Sequence, residues 1–230
     1  MRIKEIRLLP GAELAGLLTR IPFFKELRLR DEPQLQLLLT YSCLVELEPG
    51  ETIMRRGQEG TWLYFLIKGT LQVYRDEPGA ELLSTITPGE LFGDLALLWD
   101  HERKATVAAP SERGALLFAC DFKAFGELDN FSQVQLSTKL LFYRTVVHSI
   151  RWRLEVNRMQ QPQHPLVAEL LRMPVYSGVR DGIEELRACH RQARSLATIL
   201  ERWNSDLGRA AELFVAHLDA ESAQSDNAGR

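Results

Sequence analysis

The stretch from Pro88 to Val107, PGELFGDLALLWDHERKATV, constrains this chain more than any other. It opens on a Pro88-Gly89 turn, passes Gly93 and runs through the apolar Leu95-Ala96-Leu97-Leu98. A charged loop follows, Asp100-His101-Glu102, then the cationic pair Arg103-Lys104, and Ala105-Thr106-Val107 begins a strand. Gly93 lets main-chain amides come close to a ligand. A short helix from about Asp94 aims its first free N–H groups and its positive dipole end at an anion. Arg103 can grip a phosphate through two parallel charge-assisted hydrogen bonds. A carboxylate at Asp94 is wrong for a phosphate but right for sugar hydroxyls. The segment therefore reads as a cradle for a ligand with both a phosphate and a ribose.

The elements around it set the fold. Ala12 to Arg20 read as a short helix, and Ile21, Phe23 and Phe24 as an apolar knot. Asp31-Glu32-Pro33 starts a second helix, with acids in its first turn and Leu35, Leu37, Leu38 and Leu39 along it. From Val45 the apolar period changes to two. Short strands follow, broken at Glu48-Pro49-Gly50, at Gly57 to Gly60, at Gly69 and at Asp76-Glu77-Pro78-Gly79. Trp62 to Ile67 is a buried strand, and Leu82 to Ile86 leads back to the cradle. Ala105–Ala109 and Gly114–Ala119 close the series around Pro110-Ser111-Glu112-Arg113. Such spacing predicts a jelly roll or sandwich. Asp121 caps a helix from Phe122 to Leu128. A longer helix is expected from about Ser132 to Asn157. Its stripe, Leu136, Leu140, Tyr143, Val147, Ile150 and Leu154, alternates steps of four and three, which is a heptad seam.

Phe92-Gly93-Asp94-Leu95-Ala96-Leu97, followed by Glu102-Arg103-Lys104-Ala105-Thr106-Val107, resembles the phosphate-binding cassette of the cyclic nucleotide-binding domain family, with the kinase-type spacing between acid and arginine. The resemblance covers about residues 12 to 157, including glycines 50, 57 and 69. It implies an α+β chain: a β jelly roll with flanking helices over residues 1–160, then a C-terminal α-helical region. It implies a ligand, a cyclic nucleotide with cyclic AMP leading, at Gly93, Asp94, Leu95, Ala96, Arg103, Lys104, Ala105 and Thr106. Asp94 inherits the ribose 2′-hydroxyl and Arg103 the cyclic phosphate. In the family the long helix closes over the ligand and often pairs two subunits, which implies a homodimer through the heptad seam. Three residues depart from the pattern. Asp94 is a methylene shorter than the usual Glu, Glu102 replaces Pro, and Lys104 replaces a small residue. Lys104 can add a cation for the phosphate, pair with Glu102 or occupy the pocket. A cassette that keeps the fold and binds nothing is the alternative.

Gln160 to Pro165 is a polar linker with two prolines, and the resemblance stops there. Pro165 starts a short helix, Leu166 to Arg172, and Asp181 with Glu184 forms a capping box. Ile183, Leu186, His190, Ala193, Ala197, Leu200, Leu207, Ala211, Phe214 and Leu218 fall on one helical seam, with a break expected at Asn204-Ser205-Asp206. Residues 161–220 are thus a helical output region that contacts a protein effector, and 221–230 a disordered tail. His190 reads as a packed histidine. The family's bacterial members carry a helix-turn-helix here. Met173 to Gly178 is too poor in helix formers for that motif, and acids interleave with the arginines beyond it. Nucleic acid is therefore not the expected partner, and a transcription regulator with an atypical DNA-binding end is a second alternative.

Bulk properties exclude more. A net charge of −3 over 230 residues, with pI near 6.0, leaves no basic field for nucleic acid. No apolar run approaches a membrane span, and no secretory leader is read at the N-terminus. Cys43, Cys120 and Cys189 are widely spaced and odd in number, which favours free thiols in the cytoplasm over disulfides or zinc. No metal-ligand motif, serine elbow or Walker loop is present, so no enzymatic activity, metal or cofactor is expected. The sequence describes a cytoplasmic cyclic-nucleotide sensor acting through protein contacts, or a ligand-independent scaffold on the same fold.

Overall fold

In the computed structural model, which describes residues 1–98 and 102–228, with side chains for all of these but Leu8 and residues 207–228, the period-two segment becomes two facing antiparallel sheets. The strands are β1 (Arg2–Glu5), β2 (Ser42–Leu47), β3 (Thr52–Met54), β4 (Trp62–Lys68), β5 (Leu71–Tyr74), β6 (Leu82–Ile86), β7 (Leu91–Phe92), β8 (Thr106–Ala108) and β9 (Ala115–Asp121). One sheet runs β1-β2-β9-β4-β7 and the other β3-β8-β5-β6. Strand β4 is apolar on both faces because both faces are covered. Tyr64 and Leu66 enter the core between the sheets, while Leu63, Phe65 and Ile67 enter a second core under the helices. Strand β9 divides the same way, with Leu117 and Ala119 inside and Phe118 and Cys120 under the helices.

The helices are α1 (Gly11–Leu18), α2 (Pro22–Arg30), α3 (Glu32–Thr40), the four-residue α4 (Leu95–Leu98), α5 (Leu136–Gln160), α6 (Leu166–Leu171) and α7 (Ile183–Ala228). Asp31 caps α3, its carboxylate accepting from the Gln34 amide at 3.1 Å. Strand β1 and helix α2 were among the elements not foreseen. Strand β1 is exposed along its whole length and shows no alternation. The apolar knot after Ile21 is helix α2, with Pro22 in its first turn and Phe23, Phe24 and Leu27 buried. Phe24 packs on Phe118 at 4.6 Å between ring centroids, and Phe23 meets Phe142 of α5 at 5.9 Å.

Several expected boundaries moved. The helix after Asp121 is a short 3-10 turn, Phe122–Phe125. Helix α5 starts at Leu136 because the preceding backbone is bound by a glutamine side chain. Gln34 donates to the Gln133 carbonyl at 3.1 Å and accepts from the Gln135 amide at 2.9 Å. The Asp181–Glu184 capping box does not form. Glu185 instead accepts from the Asp181 amide at 2.7 Å and from Arg144 of α5, while Glu184 pairs with Arg187. The break at Asn204-Ser205-Asp206 is absent, since α7 runs through it and on to Ala228, taking in most of the segment expected as a disordered tail. Gly229 and Arg230 lie outside the described residues.

The heptad seam of α5 is covered within the chain. Leu140, Tyr143, Ile150 and Leu154 are buried, with Leu136 and Val147 partly so, in the same core as Leu186, Ala193, Leu196, Ala197 and Leu200 of α7. The face expected to pair two copies is therefore occupied by α7, which carries a complementary apolar stripe and follows α5 after residues 161–182. His190 is packed as expected, edge-on to Tyr143 at 5.3 Å. Trp203 anchors the far end. It is fully buried, stacks on His164 at 4.2 Å and donates its indole N–H to Gln161 at 3.2 Å. Trp203→Ala is expected to remove about 3–5 kcal/mol of stability, measured by urea denaturation, because the rigid helix pair cannot collapse into the hole.

Candidate functional site

A cavity of about 470 Å³ lies where the sandwich meets α5 and α7. Of the expected site residues, Gly93, Asp94, Leu95, Ala96, Arg103, Lys104 and Ala105 line it. Thr106 does not. It is buried in β8, and its hydroxyl accepts from the Arg56 amide at 3.0 Å. His101 lies outside the described residues, with Trp99 and Asp100.

Arg103 is only 3% exposed. Its backbone is bracketed by the loop after β3: its amide donates to the Gln58 carbonyl at 2.8 Å, and its carbonyl accepts from the Gly57 amide at 2.9 Å. Its guanidinium donates to the Gly93 carbonyl at 3.0 Å and the Trp62 carbonyl at 2.8 Å, and lies over the Tyr64 ring at 5.6 Å. Burial pulls the guanidinium below its usual range, while Tyr64 and Asp94 oppose that shift. It stays charged, because arginine starts so high. Two glycines make room for it. A Cβ on Gly60 would stand 2.0 Å from Arg103 Nε. Gly93, at φ +82°, combines a left-handed backbone with a Cβ position 2.8 Å from Arg103 Nη1.

Asp94 is 1% exposed. Its Oδ2 accepts from Arg153 of α5 at 2.5 Å, and its Oδ1 is buried without a hydrogen-bond partner. A buried carboxylate oxygen left unsatisfied is uncommon and costly. Lys104 lines the cavity and also pairs with Glu102 at 3.6 Å, so it combines two of the expected arrangements.

Sequence reasoning missed the rest of the wall. Arg75, just after β5, reaches across to α7, donating to the Asn204 carbonyl with one nitrogen and to Glu81 with another. Trp152 and Arg153 of α5, and Leu200, Glu201, Asn204 and Ser205 of α7, complete it. Trp152 is 55% exposed, unusual for so large an apolar side chain. These residues sit in amphipathic helices, where spacing reveals the buried stripe and says nothing of a cavity beside it. The charges converging here are mostly positive: Arg56, Arg75, Arg103, Lys104 and Arg153 against Glu90, Asp94 and Glu201. The arrangement can hold an anion at its cationic side and offer a carboxylate oxygen to a hydroxyl. No cluster of potential metal ligands occurs among the described residues.

Residues 44–128 match the sequence family described as the cyclic nucleotide-binding domain. That part of the chain is a cyclic nucleotide-binding domain. The chain is 32% identical over 80 residues to the cAMP-dependent protein kinase regulatory subunit of Debaryomyces hansenii, an alignment covering 35% of this chain and 17% of the relative. It is 37% identical over 73 residues to the cGMP-dependent protein kinase of Plasmodium berghei, covering 31% and 8%. The chain thus spans a small part of those relatives' length. Among solved structures, a putative cyclic nucleotide-binding protein from Geobacter metallireducens superposes with a TM-score of 0.51 at 16% identity, over 64% of this chain and 99% of that one. That likeness supports the fold. The α+β architecture with a C-terminal helical region agrees with the expected class. No helix among the described residues is long and apolar enough to cross a membrane.

Gly60→Ala is expected to evict the Arg103 guanidinium from its carbonyl contacts and cost about 2–3 kcal/mol, read by chemical denaturation. Gly16→Ala, in α1 with nothing near its Cβ position, should instead raise stability by about 0.5–1 kcal/mol.

Proposed function

We propose that this chain is a cytoplasmic sensor whose cyclic nucleotide-binding domain takes a purine nucleoside 3′,5′-cyclic monophosphate, and whose output is protein contact through the helices around the cavity. The carrying observation is that a buried guanidinium and a buried carboxylate with one uncommitted oxygen share a single cavity. Arg103 meets the phosphate with charge-assisted hydrogen bonds, and Lys104 adds a second cation. Asp94 Oδ1 accepts from a ribose hydroxyl. Trp152 offers an aromatic face at the cavity's edge for a base. The chemistry is recognition without bond making. Cyclic AMP is the ligand the family resemblance suggests, and the matched kinases are named for cAMP in one case and cGMP in another.

Transmission follows from what holds Asp94. Its second oxygen binds Arg153, so a ligand on Asp94 acts on α5, and α5 is clamped to α7 through Arg144, Glu185 and Asp181. A ligand shifts such an assembly only by its differential affinity for two arrangements of these helices. With the α5 seam covered by α7, the protein effector meets other surfaces of the helical region. Residues 172–182, between α6 and α7, contain no helix, which leaves no room for the second helix of a helix-turn-helix.

A second reading has its own support. Asp94 is paired with Arg153, Lys104 with Glu102, and Arg103 donates to two carbonyls, so the cassette satisfies much of its charge internally. That arrangement suits a scaffold that binds no nucleotide. Calorimetric titration with cyclic AMP and cyclic GMP separates the two. A sensor gives saturable binding and a ligand-dependent rise in Tm. Arg103→Lys should weaken binding at least about tenfold, because a lysine lacks the planar fork. No heat and no stabilisation with either nucleotide leaves the scaffold.

A further inference from the structure

The cassette accounts for a sugar and a phosphate. The walls contributed by α5 and α7 remain for the base, and α7 lies wholly outside the residues that match the family. Its cavity-facing turn is held in place from both sides. On the inner side Leu196, Ile199 and Trp203 are buried, and Trp203 is stacked on His164 and bonded to Gln161. Toward the sandwich, Arg75 donates to the Asn204 main-chain carbonyl while Glu81 fixes the same guanidinium at 2.7 Å. Glu201 and Asn204, three residues apart, therefore present to the cavity from a fixed backbone.

Neither side chain is committed elsewhere. The Glu201 main-chain carbonyl accepts from the Ser205 hydroxyl at 2.9 Å, but its carboxylate has no hydrogen bond or ion pair among the described residues. The Asn204 amide group is equally without a side-chain partner there. An unpaired carboxylate in a cavity otherwise rich in cations is not there to hold the phosphate.

Resting on the reading of the cavity as a cyclic-nucleotide site, we infer that α7 is its specificity-determining wall and that Glu201 selects guanine over adenine. An ionised carboxylate only accepts. The Watson–Crick edge of guanine carries two adjacent donors, N1–H and the N2 amino group, which can meet both carboxylate oxygens in the two-bond pattern that arginine makes with acids. Adenine sets an acceptor, N1, beside its one amino donor, so one carboxylate oxygen faces a lone pair and stays unsatisfied. The Asn204 amide donates to guanine O6 or accepts from the adenine amino group, so it serves either base and leaves the choice to Glu201.

The experiment is calorimetry on the full chain with cyclic GMP and cyclic AMP, for the wild type, Glu201→Gln and Arg103→Lys. The wild type should bind cyclic GMP at least about tenfold more tightly than cyclic AMP, one charged hydrogen bond's worth of discrimination. Glu201→Gln, whose amide offers a donor beside an acceptor, should erase or invert that ratio without lowering Tm. Arg103→Lys should weaken both nucleotides alike and keep the ratio. Cyclic AMP bound as tightly as cyclic GMP by the wild type, or a ratio untouched by Glu201→Gln, overturns the role given to α7 and leaves the sensor standing. A folded wild type that binds neither nucleotide removes both.

Discussion

A guanidinium buried to within 3% of complete enclosure is the constraint around which the sandwich is built. Taking an arginine out of water is costly unless its donors are met, and here main-chain carbonyls of Trp62 and Gly93 meet them. Those two carbonyls come from different parts of the chain, the start of β4 and the turn after β7. The backbone of Arg103 is tied to a third, the Gln58 loop after β3. One side chain thus fixes three connections at the end of the sandwich where the cavity opens. Gly60 and Gly93 exist at their positions because any side chain would occupy the space that the guanidinium fills. A purely structural hydrogen-bond hub would not need a permanent charge, and among the charged residues lining the cavity the cations outnumber the acids.

The second dependency runs from Asp94 into the helices. Strands β4 and β9 are apolar on both faces because the helical layer is as much a core as the space between the sheets. Helix α5 belongs to that layer and brings Arg153 to Asp94. Helix α7 belongs to it as well, covering the α5 seam with Leu186, Ala193, Ala197 and Leu200 and then turning its next residues to the cavity. The sandwich and the C-terminal helices are therefore not two modules joined by a linker. They share one hydrophobic core, and any ligand that moves α5 moves against the packing of α7.

What was legible in the sequence follows from where the information is local. The cassette was readable because its glycine, acid and arginine stand in one short stretch, and the sandwich because period-two runs are punctuated by Gly and Pro. Helix α2 was hidden by Pro22, which marks a helix start as readily as a break. The unbroken course of α7 through Asn204-Ser205-Asp206 was hidden because tertiary contacts override weak helix formers: Trp203 is buried beside them and Arg75 holds the Asn204 carbonyl. The α5 seam was read correctly as a seam and assigned the wrong occupant. A heptad stripe states that an apolar helix face will be met, and its geometry does not say whether the partner is another copy or the same chain 40-odd residues later. Arg153 and Glu201 left no trace, since their place in the cavity wall arises only where the sandwich, α5 and α7 meet.

The Asp94–Arg153 pair bears on whether the cavity is open for binding or locked against it. A carboxylate has two oxygens and about four lone-pair sites, and Arg153 uses one oxygen only. Oδ1 is the buried atom left without a partner. A hydroxyl arriving there satisfies an existing deficit and breaks no ion pair. Arg153 at the same time fixes the orientation of the carboxylate, which leaves Oδ1 aimed for an incoming donor. Breaking that pair would strand a charge in a nearly closed environment, so the pair and the ligand favour the same arrangement of α5. In the proposed sensor the bridge preorganises the ribose contact, and the helix that supplies it is the first element to register an occupied cavity.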